Sequence, residues 1–177
     1  MAYNFNQVVL VTEQDEEVGT MEKMEAHEKG LLHRAFSIFV FNDQHELLLQ
    51  QRAAQKYHSG SLWTNTCCSH PAAGEPLPEA AHRRLQEEMG FDCPLQKAFF
   101  FTYKAQLDHG LTEHELDHVF IGTYNQPPIL NPEEVMAYKY VSIETLMADM
   151  SASPERYTEW FKICFEPAKK FYQTQFM

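Results

Sequence analysis

The chain has 177 residues, 44% of them hydrophobic and 22% charged, which suits a single globular domain over 1–177, with a real core and too little length for two comfortable ones. Asp and Glu number 25 against 14 Lys and Arg, and the net charge of −11 argues against nucleic acid or an anionic membrane as partner, because both are bound through basic surface. No stretch approaches the roughly 20 apolar residues that span a bilayer, and the run Val8, Val9, Leu10, Val11 is too short for a secretory leader, so a soluble, cytoplasmic protein is expected.

Residues 8–12 read as a short strand, closed by an acidic turn over 13–17 and Gly19. Residues 21–29 read as a helical turn or an irregular loop that Gly30 ends. Segments 31–41 and 46–51 form the clearest hairpin signal, joined across Asn42-Asp43-Gln44-His45. Alternation puts Phe36, Ile38 and Val40 on one face, and His33, Ala35, Ser37 and Phe39 on the other. A helix follows near Pro78: Ala81, Leu85 and Met89 recur at helical spacing and Gly90 stops it. Residues 97–106 are aromatic-rich and strand-like, with Asp108-His109-Gly110 as a turn. In the return strand, 113–124, Glu113 and Glu115 share a face with His114 opposite. Two carboxylates pointing one way are costly without a cation between them. A strand over 135–141 and a short helix over 143–150 precede a final helix, signalled by Ser153 as N-cap and Pro154 at its first position. Its apolar stripe is Tyr157, Trp160, Phe161, Cys164, Phe165, Ala168 and Phe171, and Pro167 is expected to kink it. The coarse picture is a mixed sheet flanked by helices.

The stretch with the most chemistry is 64–91. Thr64-Asn65-Thr66-Cys67-Cys68-Ser69-His70-Pro71 sets a thiol two residues from an imidazole, ahead of a helix ending in Glu87 and Glu88. Taken singly, each part has a plain reading: a small buried cysteine, a loop histidine, a solvated helix end. Acidic residues at a helix C-terminus oppose the macrodipole, however, a conflict that a divalent cation would resolve. Cys67, Cys68, Cys93 and Cys164 show no paired spacing, and adjacent cysteines form a strained disulfide, so reduced thiols are expected.

The order of these elements resembles the Nudix box, a loop-helix-loop whose glutamates hold magnesium against a diphosphate. Glu75, Arg83, Leu85, Glu87, Glu88, Gly90 and Phe91 fall on its positions. Two positions depart from it. Ser69 stands where the box begins with Gly, which tolerates positive φ better. Arg84 stands where the hydrolases need a metal-binding Glu, exchanging a ligand for a cation suited to a phosphate oxygen. Together with the 64–71 run, the altered box closely resembles the type 1 isopentenyl-diphosphate delta-isomerases. The likeness extends from Gly19-Thr20-Met21-Glu22-Lys23 to Tyr157-Thr158-Glu159-Trp160. It implies an α/β (α+β) fold, a Nudix-type mixed β-sheet sandwiched by helices.

The resemblance also implies an activity: interconversion of isopentenyl and dimethylallyl diphosphate through a tertiary carbocation, in isoprenoid biosynthesis. It selects His27, His33, His70, Glu113 and Glu115 as ligands of one divalent metal, a nitrogen and oxygen set that suits zinc, manganese or magnesium. A second ion, Mg2+, would bridge Glu88 and the diphosphate, with the Cys68 carbonyl as a further ligand. Lys23, Arg52, Lys56 and Arg84 are the cations matched to the diphosphate. Cys68 would work on one face of the alkene and Glu115, beside Tyr103, on the other, with the assignment of acid and base open. Trp160 would stabilise the cation and exclude water. His45, His58, His82, His109, His114 and His118 carry no assigned role. The implied partner is a small-molecule diphosphate, with the chain a monomer or a homodimer. Two rival readings remain, a Nudix hydrolase of a small diphosphate, against which Arg84 speaks, and a non-catalytic metal and diphosphate-binding module.

Overall fold

A computed structural model of the chain describes residues 3–177, and strand β3 (His33–Phe41) is its hub. β3 meets β1 (Gln7–Val11), runs antiparallel to β6 (Cys67–Ser69), and pairs in parallel along its whole length with β8 (Thr112–Thr123). β7 (Leu95–Gln106) adds to the far side of β8. β4 (Glu46–Arg52) instead pairs along its length with β9 (Val135–Ser142), and with β5 (Trp63–Thr64) on its other side.

The predicted alternation of β3 is what lets two helices sandwich this sheet. Phe36, Ile38 and Val40 pack under α2 (Leu77–Met89), against its Ala80, Ala81, Leu85 and Met89. Phe39 and Phe41 face the other way, toward Trp160, Phe161, Cys164 and Phe165 of α4 (Glu159–Phe176). Gly90 ends α2 at φ 71°, where a Cβ would meet the Ile129 carbonyl oxygen at 2.2 Å, so the stop admits no other residue.

The expected hairpin over 31–51 is scarcely a hairpin. β3 and β4 share one paired position, Phe41 with Leu47, and then part. Side chains from the Thr64-Asn65-Thr66 run fill the gap where a ladder would be. The Thr66 hydroxyl accepts from the Val40 amide (2.9 Å) and donates to the Leu48 carbonyl (2.6 Å), while Asn65 Nδ2 donates to the Ile38 carbonyl (3.2 Å). Gln50 Nε2 closes the wedge by donating to the Thr66 carbonyl (2.8 Å). One hydroxyl thus satisfies two backbone groups that the split would otherwise orphan.

Two further expectations are corrected. The turn read over 13–17 and Gly19 is shorter: β2 (Glu17–Glu22) pairs along β1 and takes in Glu17, Gly19 and Met21. Of the two readings of 21–29 the helical one holds, as α1 (Lys23–Lys29), with the Glu22 carboxylate accepting from the Glu25 amide (2.9 Å) and Gly30 as a left-handed stop. Ser153 caps the end of α3 (Ile143–Ala152) rather than the start of the last helix. Pro154–Arg156 is a 3-10 turn, Tyr157 lies extended in a bridge to Trp63, and α4 begins only at Glu159. The Thr158 amide donating to the Trp63 carbonyl (3.0 Å) holds that segment out of the helix. Pro167 lies inside α4 without ending it.

The β1–β2 turn is pinned from beneath. Arg34 Nε donates to Asp15 Oδ1 (2.7 Å), and His118 Nε2 lies 2.9 Å from Asp15 Oδ2. Burial, aided by Lys97, pushes the His118 imidazole down to about 4 against the pull of Asp15. Two stability measurements test this account. Thr66→Val should cost about 2–4 kcal/mol in urea unfolding, since it leaves the Val40 amide and Leu48 carbonyl buried and unpaired. A loss below about 1 kcal/mol would mean the two strands close up without the hydroxyl. As pH falls below about 6.5 the unfolded chain takes up a proton that folded His118 refuses until about pH 4. This group's contribution should therefore be flat above that window and be lost progressively within it, with a shallower fall in His118→Gln.

Candidate active site and metal centre

Tyr103, Glu115 and His33 are in register across β7, β8 and β3, so the sheet itself lines up a phenol, a carboxylate and an imidazole. Tyr103 Oη donates to Glu115 Oε2 (2.7 Å), His70 Nε2 lies 2.7 Å from Glu115 Oε1, and His33 Nε2 lies 3.5 Å from the same oxygen. Glu115 is only 5% exposed. Burial would push its carboxyl up, yet hydrogen bonding and charge from His33 and His70 outweigh it and hold Glu115 well below the usual carboxylate range. Glu113 lies on the same face, as the alternation predicts, and behaves oppositely. Burial and the Glu115 charge push it well up, against the pull of Arg52.

The histidines are arranged as metal ligands commonly are. Nδ1 of His27 donates to the Lys23 carbonyl (2.7 Å) and Nδ1 of His33 to the Leu31 carbonyl (2.8 Å), which turns each bare Nε2 inward. Apart from the 3.5 Å approach of His33 Nε2 to Glu115 Oε1, those two nitrogens and Glu113 Oε2 are buried with no hydrogen-bond partner among the described residues. Donor atoms of His27, His33, His70 and Glu115 lie within 4.8 Å of one another. His27, Glu113 and His58 form a second such group. Orphaned nitrogens beside a carboxylate pair that cannot comfortably ionise together fit a divalent cation.

Strand alternation separates the two adjacent thiols. Cys67 packs on the α2 side, and Cys68, opposite Ser37 in the register, faces α4 and the cavity. All four cysteines are free. Burial pushes the Cys68 thiol well up, although Arg52 Nη1, 4.0 Å from its sulfur, opposes this. The Arg52 guanidinium lies 5.2 Å from the centre of the Trp160 ring. Trp160 is 2% exposed and lines the same cavity as Cys68, Glu113 and Glu115. The α4 stripe therefore both builds core and presents one indole to the site.

The four expected cations all line this cavity, but two are already engaged. Lys56 and Arg84 share Glu134, at 2.5 and 3.2 Å. Arg84 also donates to Glu87 (2.8 Å) and Glu88 (2.6 Å). Lys23 sits 4.8 Å above the Tyr57 ring. Glu88 stands apart from the histidine groups, held by Arg84 and by Gln50 Nε2 (2.8 Å). Ser69 lies in β6 without positive φ, so its replacement of the box Gly introduces no strain.

Two residues at the site, and one behind it in β8, escape the sequence reading. His58 is 2% exposed, with Nε2 3.6 Å from Glu113 Oε1. Glu134 neutralises two of the cations. Asp117, next on the Glu113 and Glu115 face, is buried with Ser37 donating to Oδ2 (2.7 Å). Extending the period-two alternation by one step finds Asp117; nothing local marks the other two.

Comparison with known proteins agrees with the architecture. The NUDIX domain family model matches residues 31–161. A crystal structure from Deinococcus radiodurans shares the fold at a TM-score of 0.69 with 20% identity, covering 82% of this chain and 89% of that one. A MutT protein from Methanosarcina mazei Go1 does so at 0.65 with 19% identity, covering 82% and 96%. Nearer in sequence are two proteins named for one reaction. The isopentenyl-diphosphate Delta-isomerase of Pectobacterium atrosepticum is 53% identical over 94% of this chain and 93% of its own. Isopentenyl-diphosphate Delta-isomerase 2 of Photorhabdus laumondii is 56% identical over 88% of each. The chain belongs to the Nudix superfamily and, within it, to the isopentenyl-diphosphate Delta-isomerases.

Proposed function

We infer that this chain interconverts isopentenyl and dimethylallyl diphosphate, moving a proton from one carbon to another across an unactivated double bond. The observation that carries the reading at residue level is the shared cavity of Cys68, Glu115 and Trp160 with Arg52 beside them. Such a reaction needs a proton donor and a proton acceptor on opposite sides of the alkene, and no water to quench the tertiary cation between them.

The two groups are shifted in opposite directions, the thiol up by burial and the carboxyl down by its imidazole neighbours, so one is disposed to keep a proton and the other to give it up. Tyr103 holds the carboxylate in place and offers it a proton path. The Trp160 indole would face the cation, an attraction of roughly 2 kcal/mol when desolvated. Lys23, Arg52, Lys56 and Arg84 would hold the diphosphate, Arg52 bringing its charge to the side where Cys68 and Trp160 meet. A divalent cation (zinc, manganese or magnesium) on His27, His33, His70, Glu113 and Glu115 would make the Glu115 carboxyl more acidic, while Mg2+ near Glu88 and the Cys68 carbonyl would neutralise the diphosphate. The chain would act as one catalytic domain, monomeric or dimeric, in the cytoplasm; no helix of the described residues is long and apolar enough to cross a membrane.

Hydrolysis is the poorer reading, because Arg84 ties up Glu87 and Glu88, the carboxylates a hydrolase would give to its metals. In heavy water with magnesium, the enzyme should introduce deuterium at C2 and C4 of the substrate; phosphate release without exchange would instead mark a hydrolase. Cys68→Ala and Glu115→Gln should each lower kcat by roughly 100- to 10,000-fold with unfolding midpoints near wild type. Near-normal turnover in either would remove that residue from the chemistry. Tyr103→Phe should cost less, about tenfold, since Glu115 keeps its imidazole partners.

A further inference from the structure

We propose that Tyr57 is a positioning residue for the substrate's diphosphate, its ring being the platform that holds the Lys23 ammonium in the cavity before the substrate arrives. The inference rests on the reading of Lys23 as a diphosphate cation and deepens it by naming what places that cation. Lys23 differs from the other three. Lys56 and Arg84 are paired with Glu134, and Arg52 is held by the His58 carbonyl (3.1 Å) beside Trp160. Lys23 has no carboxylate at ion-pair distance among the described residues. Its Nζ lies instead 4.8 Å from the centre of the Tyr57 ring, inside the range at which an aromatic face attracts a cation. Lys56 Nζ stands 6.0 Å from the same ring, at the edge of that range, with its charge already answered by Glu134. Tyr57 lines the cavity together with both lysines.

The backbone of Lys23 is committed on both sides. Its amide donates to the Asn6 carbonyl (2.9 Å) and its carbonyl accepts from His27 Nδ1 (2.7 Å), so the start of α1 is fixed and only the four-carbon stem is free to move. Holding such a stem in one place takes away much rotamer freedom, and a charge that is placed beforehand spares the binding step that loss. The ring can place it because the ring is itself fixed. It packs perpendicular to two buried imidazoles, His27 with centroids 5.7 Å apart and His58 at 4.4 Å. A rigid group from the loop between β4 and β5 is thus set against a flexible one from α1.

The probe is inorganic pyrophosphate, titrated calorimetrically into the metal-loaded enzyme with magnesium present. Tyr57→Leu should weaken its binding by about five- to tenfold, and Tyr57→Phe, which keeps the ring face, by less than about twofold. Ring electronics separate attraction from packing. With phenylalanine, 4-fluorophenylalanine and 3,4,5-trifluorophenylalanine placed in turn at position 57, affinity should fall stepwise as fluorine drains the face at nearly constant shape. Lys23→Met should itself weaken binding and abolish the effect of Tyr57→Leu in the double variant. A flat fluorine series, equal losses from Tyr57→Leu with and without Lys23, or tighter binding as the face is drained would each overturn the proposal and leave Lys23 as a diphosphate cation. Unchanged affinity in Lys23→Met alone would overturn that reading of Lys23, and the proposal with it.

Discussion

A carboxylate stays ionised away from water only if other donors replace the water, and Glu115 is the point at which this protein meets that requirement. Losing its hydration costs several kcal/mol unless it is recovered locally. Recovery comes from Tyr103 and His70, each 2.7 Å from a carboxylate oxygen and reaching Glu115 from β7 and from the residue after β6, with the His33 imidazole alongside on β3. None of these is near another in sequence, so the charge is tolerated only when the parallel β3–β8 pairing and the antiparallel β7–β8 pairing are both in register. A one-residue slip in either would turn the Glu115 partners to the opposite face. The site and the sheet specify each other.

The same dependence explains the Thr64-Asn65-Thr66 run. By wedging β3 from β4, it frees β3 to accept β6 on one side and β8 on the other, and it fixes where β6 begins. Two residues after the wedge, strand alternation sends Cys67 into the α2 core and Cys68 into the cavity. The difference between an inert thiol and a placed one is thus a matter of parity, set by a threonine hydroxyl.

What could be read from the chain alone follows this division between local and distant causes. Helix α2 was legible because its apolar spacing and the Gly90 stop are local, and the shared face of Glu113 and Glu115 because alternation is local. The β3–β4 hairpin misled because both segments carry good strand residues, while the decision not to pair is made by side chains 15 or more positions away. β2 was missed because its exposed, Glu- and Gly-containing sequence has little strand character and is held by β1. The start of α4 was misplaced because a bridge from Tyr157 to Trp63 overrides the Ser-Pro signal. His27, His33, His70, Glu113 and Glu115 were selected by family likeness, and the fold gathers them. His58 and Glu134 have only three-dimensional neighbours, so no periodicity could have singled them out.

Glu134 gives the cavity a property that a plain basic pocket lacks. It sits as an internal surrogate for an anion, answering Lys56 and Arg84 at once. Two of the four lining cations are thus matched inside the fold, while Lys23 and Arg52 have aromatic rings beside them and no carboxylate at ion-pair distance among the described residues. An anionic guest meets a pocket whose positive charge is concentrated on the Lys23 and Arg52 side.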